Sequence, residues 1–178
     1  MKPTSMYVFF CWGDGWLSRL ISLVTKGPSH TGVGFEYKGS STESDIFEAL
    51  IGKGVRRKTL KKLINWALGN KKRRVEIFSL KDIAVEDMAI KRAVAETYCG
   101  TAGYAELQLL AMFLFEKFGR KVRESQDNVV CSELVARLIA PEYDFSKERT
   151  FDEISPAFLY EKLRQRCVAV DEKKESEK

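Results

Sequence analysis

The run Ser29-His30-Thr31-Gly32-Val33-Gly34-Phe35-Glu36-Tyr37 constrains the chain most, because its alternation fits a β-strand and not a helix. A period of two places Thr31, Val33, Phe35 and Tyr37 on one face, and His30, Gly32 and Gly34 on the other. His30 is the only histidine in the chain. It shares its face with residues that have no side chain, so another element could approach closely there. After a polar loop over 38–44, Asp45-Ile46-Phe47-Glu48-Ala49-Leu50 reads as the returning strand of a hairpin. A turn centred on Gly39 would set Glu48 directly opposite His30.

The remaining elements follow from the same signals. Met6 to Trp12 is aromatic and β-branched enough for a buried strand; Gly13-Asp14-Gly15 breaks it, and a helix follows from Trp16 to Val24. A short strand is expected over Gly52 to Lys58, a helix over Leu60 to Leu68, and a strand over Val75 to Leu80. Asp82 to Tyr98 predicts a helix with Met88, Val94 and Ala95 facing inward. Gly103-Tyr104 leads into a second long helix, Ala105 to Phe118. Ser155 caps and Pro156 starts a final helix, Ala157 to Arg164. Strands thus concentrate in the first half and helices in the second, which predicts an α+β fold with helices packed on an antiparallel sheet. By length, residues 1–170 make one domain, followed by a charged, disordered tail over 171–178.

The segment Val129 to Ile139 reads as an amphipathic helix with apolar residues at 130, 134, 135, 138 and 139 on one face. Cys131 falls in its first turn, where unpaired backbone N–H groups and the helix dipole favour an anion and hence a thiolate. A nucleophilic cysteine also needs a base and a group that orients the base. His30 is the one possible imidazole, about a hundred positions upstream, and Glu48 is the natural third member. Tyr104 and Ser132 are candidates for a substrate contact or for the donor that joins the Cys131 N–H in an oxyanion hole. Each residue has a plainer alternative. A helix cysteine is commonly a small buried hydrophobe, a lone histidine a structural residue, Glu48 an edge charge and Tyr104 a core aromatic.

The four cysteines, at 11, 99, 131 and 167, form no Cys-x-x-Cys pair. With no secretory signal and no apolar segment of membrane-spanning length, they argue for reduced thiols in a cytoplasmic setting. One histidine and no clustered thiols argue against a zinc site, and no metal or organic cofactor is expected. The net charge is +5, but it is uneven: from Lys53 to Arg74 there are ten Lys or Arg and no acidic residue. Lys53, Arg56, Arg57, Lys58, Lys71, Lys72, Arg73 and Arg74 could face an anionic lipid surface, or form a solvated helix face and loop. Nucleic acid ranks lower as a partner, because Trp66 is the only aromatic in the run.

Ser29-His30-Thr31-Gly32-Val33-Gly34, then Phe47-Glu48-Ala49, Gly54-Val55, Gly100 with Tyr104, Cys131-Ser132-Glu133-Leu134-Val135, and Ser155-Pro156 with Leu159 form an ordered set. In order and spacing they resemble the circularly permuted NlpC/P60 group of papain-like cysteine hydrolases, with the YiiX-like proteins as the nearest branch. The resemblance spans about Tyr7 to Leu163. It implies that Cys131 is the nucleophile, His30 the base and Glu48 the third polar residue. It also implies a small antiparallel sheet or partial barrel against which the cysteine helix packs. Many relatives carry an acidic residue where this chain has Ala105. The expected activity is a cysteine hydrolase, an amidase or esterase, acting through a thioester on a peptide-like or acyl-containing small substrate. The alternatives are a lipid-directed acyltransferase or phospholipase at an anionic membrane surface, and a catalytically silent binding module with the same groove.

Overall fold

A computed structural model describes residues 2–104, 128–145 and 147–169. In chain order, β1 (Pro3–Trp12) leads to α1 (Trp16–Thr25), β2 (His30–Tyr37), β3 (Ser40–Leu50), β4 (Gly54–Thr59) and α2 (Leu60–Leu68). Then come β5 (Arg74–Leu80), α3 (Val85–Tyr98), β6 (Gly103–Tyr104), β7 (Asn128–Val129), α4 (Cys131–Ile139), α5 (Pro156–Arg166) and β8 (Val168–Ala169). Six strands form an antiparallel sheet in the order β4-β3-β2-β1-β5-β8, while β6 and β7 pair separately and in parallel. The α+β architecture expected from the strand-rich first half is the one observed. The expected helix over 105–118 and the tail over 171–178 lie outside the described residues.

The sheet has two unlike faces. On one, Val8, Phe10, Val33, Phe35, Phe47 and Ala49 pack against Leu134, Val135, Leu138 and Ile139 of α4, with Met88 and Ala95 of α3 and Leu159 and Leu163 of α5. On the other, Tyr7, Phe9, Cys11, Ile46 and Ile77 pack under Leu63 of α2. Strand alternation assigns His30 and Glu48 to this second face, because they share the parity of Gly32 and Ile46.

The β2–β3 register differs from the expected one. The turn is only Lys38-Gly39, with Gly39 at φ 88°, and β3 already begins at Ser40. An irregularity between Phe35 and Tyr37 then shifts the ladder, so Val33 faces Phe47 and Gly34 faces Ile46. Continued by one step, the ladder sets Glu48 opposite Gly32, diagonal to His30 rather than directly across from it. A slip of two residues keeps every side chain on its face, whereas a slip of one would have reversed them all.

The space above the glycines is filled from within the sheet. A Cβ on Gly32 would sit 2.4 Å from the Phe9 ring, and one on Gly34 would sit 2.1 Å from the Tyr7 ring. The close neighbour is therefore the adjacent strand's aromatic side chains, and Phe9 meets the His30 ring edge-on at 6.3 Å.

In α3, Met88 and Ala95 face inward as expected, but Val94 is 42% exposed. Lys91 takes the inward place, since at 100° per residue it lies nearer the Met88–Ala95 stripe. Its ammonium reaches the Ala140 carbonyl at 2.6 Å and Glu142 at 2.8 Å, so the buried charge is satisfied. In α5, Ser155 accepts from the Phe158 N–H at 3.2 Å and Pro156 opens the helix, as the sequence signals require. Among the described residues, no helix is long and apolar enough to cross a membrane.

Candidate active site

Two chain starts meet at one end of the sheet. His30 is the first residue of β2 and Cys131 the first of α4, the helix packed across β2 and β3 on the opposite face. Both residues can meet around the strand end because neither lies in an element's interior. The His30 Nε2–H donates to Glu48 Oε2 at 3.0 Å, which leaves Nδ1 for the Cys131 thiol. Burial alone would lower the His30 pKa. The negative charge and hydrogen bond of Cys131, with those of Glu48, outweigh it and push the imidazole up to about 9. The three residues singled out in the sequence are thus brought together: the imidazole stands between thiol and carboxylate.

Glu48 is held by more than His30. Its other oxygen accepts from Arg56 Nε at 3.0 Å, Arg56 Nη2 at 2.8 Å and Lys58 Nζ at 2.9 Å. Burial would raise the Glu48 pKa, yet His30 and Lys58 hold it well below the usual carboxylate range. These two cations were grouped with the basic run, not with the site. The available signal was the second hairpin: β3 and β4 pair with Glu48 opposite Arg56, and period two puts Lys58 on the same face.

The rest of the basic run is also partly neutralised in space. Arg57 pairs with Glu96 at 3.2 Å, Arg73 with Asp14 at 2.9 Å, and Arg74 with Glu76. Arg73 and Arg74 further lie over the rings of Trp66 and Trp12. Lys53, Lys71 and Lys72 are exposed. A local excess of positive charge in the sequence is therefore a smaller excess in the fold.

Ser132 is fully buried, the second residue of α4. The Tyr104 backbone is in β6, paired with Val129 two residues before the cysteine, and the helix expected after it lies outside the described residues. The N-cap of α4 is Val130, whose side chain has no oxygen to cap the helix start at Cys131. Cys11 stands opposite His30 in the β1–β2 ladder, and burial pushes its thiol pKa far up, as befits a packing residue.

A cleft of about 390 Å³ opens beside His30 and Glu48, walled by Leu17, Ile21, Leu63 and Trp66 and bordered by Ile51 and Lys53. Cys131 is not on its wall and is 1% exposed, whereas His30 and Glu48 line it.

No family model and no curated protein matches this sequence. Among solved structures, the crystal structure of metalloprotein yiiX from Escherichia coli O157:H7 matches with a TM-score of 0.51 and 21% sequence identity. The match covers 78% of this chain and 65% of that one, so this chain spans about two thirds of its solved neighbour. Over that stretch the protein has a YiiX-like fold.

Proposed function

We propose that this chain is a cysteine-dependent hydrolase that cleaves an amide or ester through a thioester acyl-enzyme. The observation that carries the reading is the position of His30, with Glu48 on Nε2 and Cys131 on its other side, and the pKa pushed up to about 9. An imidazole in that state is protonated at neutral pH and stands ready as the general acid.

The Cys131 sulfur attacks the carbonyl carbon, and the carbonyl electron pair moves onto oxygen. The backbone N–H at Cys131 on the α4 terminus, with the helix dipole behind it, stabilises that charge. The tetrahedral adduct then collapses; the bond to the leaving amine or alcohol breaks, and His30 supplies the proton it needs. Water next gives its proton to His30 and attacks the thioester, releasing the acid and the sulfur. Glu48 keeps the ring oriented throughout, and Arg56 and Lys58 keep Glu48 ionised and fixed.

The yiiX protein is a metalloprotein, but the described residues of this chain do not fit a metal ion. Among the described residues no group of three His, Cys, Asp or Glu is arranged to hold a metal ion, and Glu48 already carries two cations on one oxygen. No step is routed through a metal.

The deciding test is intact-protein mass spectrometry after incubation with an activated soluble ester and with a thiol-directed activity probe. The expected result is one adduct on Cys131 in the wild type and none in Cys131→Ala, with both proteins equally folded. Equal labelling of the mutant would overturn the assignment.

A further inference from the structure

α1 is amphipathic in an unusual sense, because its outer face is apolar too. Ile21 is buried and Leu17 lines the cleft, yet Trp16 is 78% exposed, Leu20 43% and Leu23 76%. These three recur at i, i+4 and i+7, so they form one stripe along the solvent side of the helix. Leu68, at the end of α2, is another 78% exposed side chain. A single exposed leucine needs no explanation, but a tryptophan and two leucines in register on one helix do.

The stretch of chain that carries the stripe is charged in one sign only. No acidic residue occurs from Gly15 to Phe35, while Arg19 and Lys26 on α1 and at its end are exposed. The carboxylate nearest in sequence, Asp14, accepts from Asn70 at 2.7 Å and from Arg73 at 2.9 Å. Those two bonds tie the loop after α2, which carries the exposed Lys71 and Lys72 between Asn70 and Arg73, to Asp14 two residues before Trp16. An apolar stripe flanked by cations suits the boundary of an anionic bilayer, where leucine and tryptophan enter the acyl region and lysines meet lipid phosphates. The same helix walls the cleft beside His30, so the exposed stripe and the cleft wall are two sides of one element.

We infer that α1 docks this protein onto an anionic lipid surface through Trp16, Leu20 and Leu23, with Lys71 and Lys72 as the electrostatic contact. Docking itself does not require the thiol chemistry. The further step, that a substrate enters the cleft from the lipid phase, rests on the proposed function above.

The test is co-sedimentation of the full chain with phosphatidylcholine vesicles made with and without phosphatidylglycerol. Wild type binds the anionic vesicles, releases them as salt rises, and leaves the neutral ones in solution. Trp16→Ser combined with Leu23→Ser lowers partitioning by roughly tenfold or more. Lys71→Glu with Lys72→Glu, on an exposed loop, abolishes the preference for anionic vesicles. Cys131→Ala binds as wild type does, which separates docking from catalysis. Absence of wild-type binding, equal binding to neutral vesicles, or full binding by either variant overturns the proposal. So does a wild-type dimer that the Trp16 and Leu23 substitutions dissolve without any vesicle binding, since the stripe would then belong to a second copy.

Discussion

The two faces of the sheet solve opposite problems. Under α4, the face is dry and almost wholly aliphatic and aromatic, and its charged intruders are tied off: Glu133 by Arg137 at 2.7 Å, Lys91 by Glu142. Under α2, the apolar cluster is small, and beside it a carboxylate 2% exposed holds an imidazole, a guanidinium and an ammonium next to an open cleft. The difference teaches that close packing and clustered titratable groups are assigned to different sides. Cys131 belongs to the dry side by packing, and reaches the polar side only because it starts its helix.

The sharpest break of that comparison is chemical. Cys131→Ala or His30→Ala should lower kcat for a soluble activated ester by roughly 10⁴-fold or more, since members of one catalytic unit fail together. Steady-state hydrolysis at matched folded fraction checks this. If either mutant retains most of the rate, the polar face does no acyl chemistry.

Next is the dry face. Leu134→Ala removes a fully buried side chain between α4 and the sheet, and should cost about 3 kcal/mol through lost transfer energy and a cavity. Urea unfolding measures it. The His30 titration should hardly move in this mutant, and a large shift would show that the faces are coupled.

Glu48→Gln tests the polar face in the same way. It leaves Arg56 and Lys58 without their shared carboxylate and should cost about 2 kcal/mol, toward the smaller end because Arg56 is 40% exposed. It should also lower the His30 pKa, because a source of its upward push is gone. NMR titration of the single imidazole reads that directly.

The pH dependence is a subtler effect. His30 is raised in the fold from 6.5 to about 9, so the stability it contributes is fully present below about 6.5 and is lost as pH rises through 9. Glu48 is depressed, so its contribution is present above the ordinary carboxylate value and is lost as pH falls below it. Unfolding free energy should therefore decline between pH 6.5 and 9 in the wild type. In Cys131→Ala, where a cause of the shift is removed, that decline should be smaller. An equal decline in both would detach the imidazole from the thiol.

The smallest effect belongs to a helix cap. Ser155→Ala removes the α5 cap and should cost about 1 kcal/mol without touching the rate.

Much of this was legible in the residues themselves. Alternation over 30–37 defined a strand and its faces, the Ser155-Pro156 pair announced a helix start, and the spacing after Cys131 placed the thiol in the first turn of α4. Local periodicity encodes these because each depends only on neighbours within a turn or a pleat. Pairing was less legible. A two-residue turn and an irregularity at Phe35 and Tyr37 moved Glu48 diagonal to His30, and nothing in the strand's own pattern records such a shift. Arg56 and Lys58 looked like part of a basic surface because their carboxylate lies across a hairpin.

What the amino-acid order determined alone is the inventory: one histidine, a cysteine opening a helix, and a carboxylate on a strand of matching parity. What only the tertiary structure decided is their meeting, because contact between residues so far apart in the chain depends on how α4 crosses the end of β2. The two cations locked onto Glu48 were decided there too, since an ion pair is set by distance in space and not by separation in the sequence.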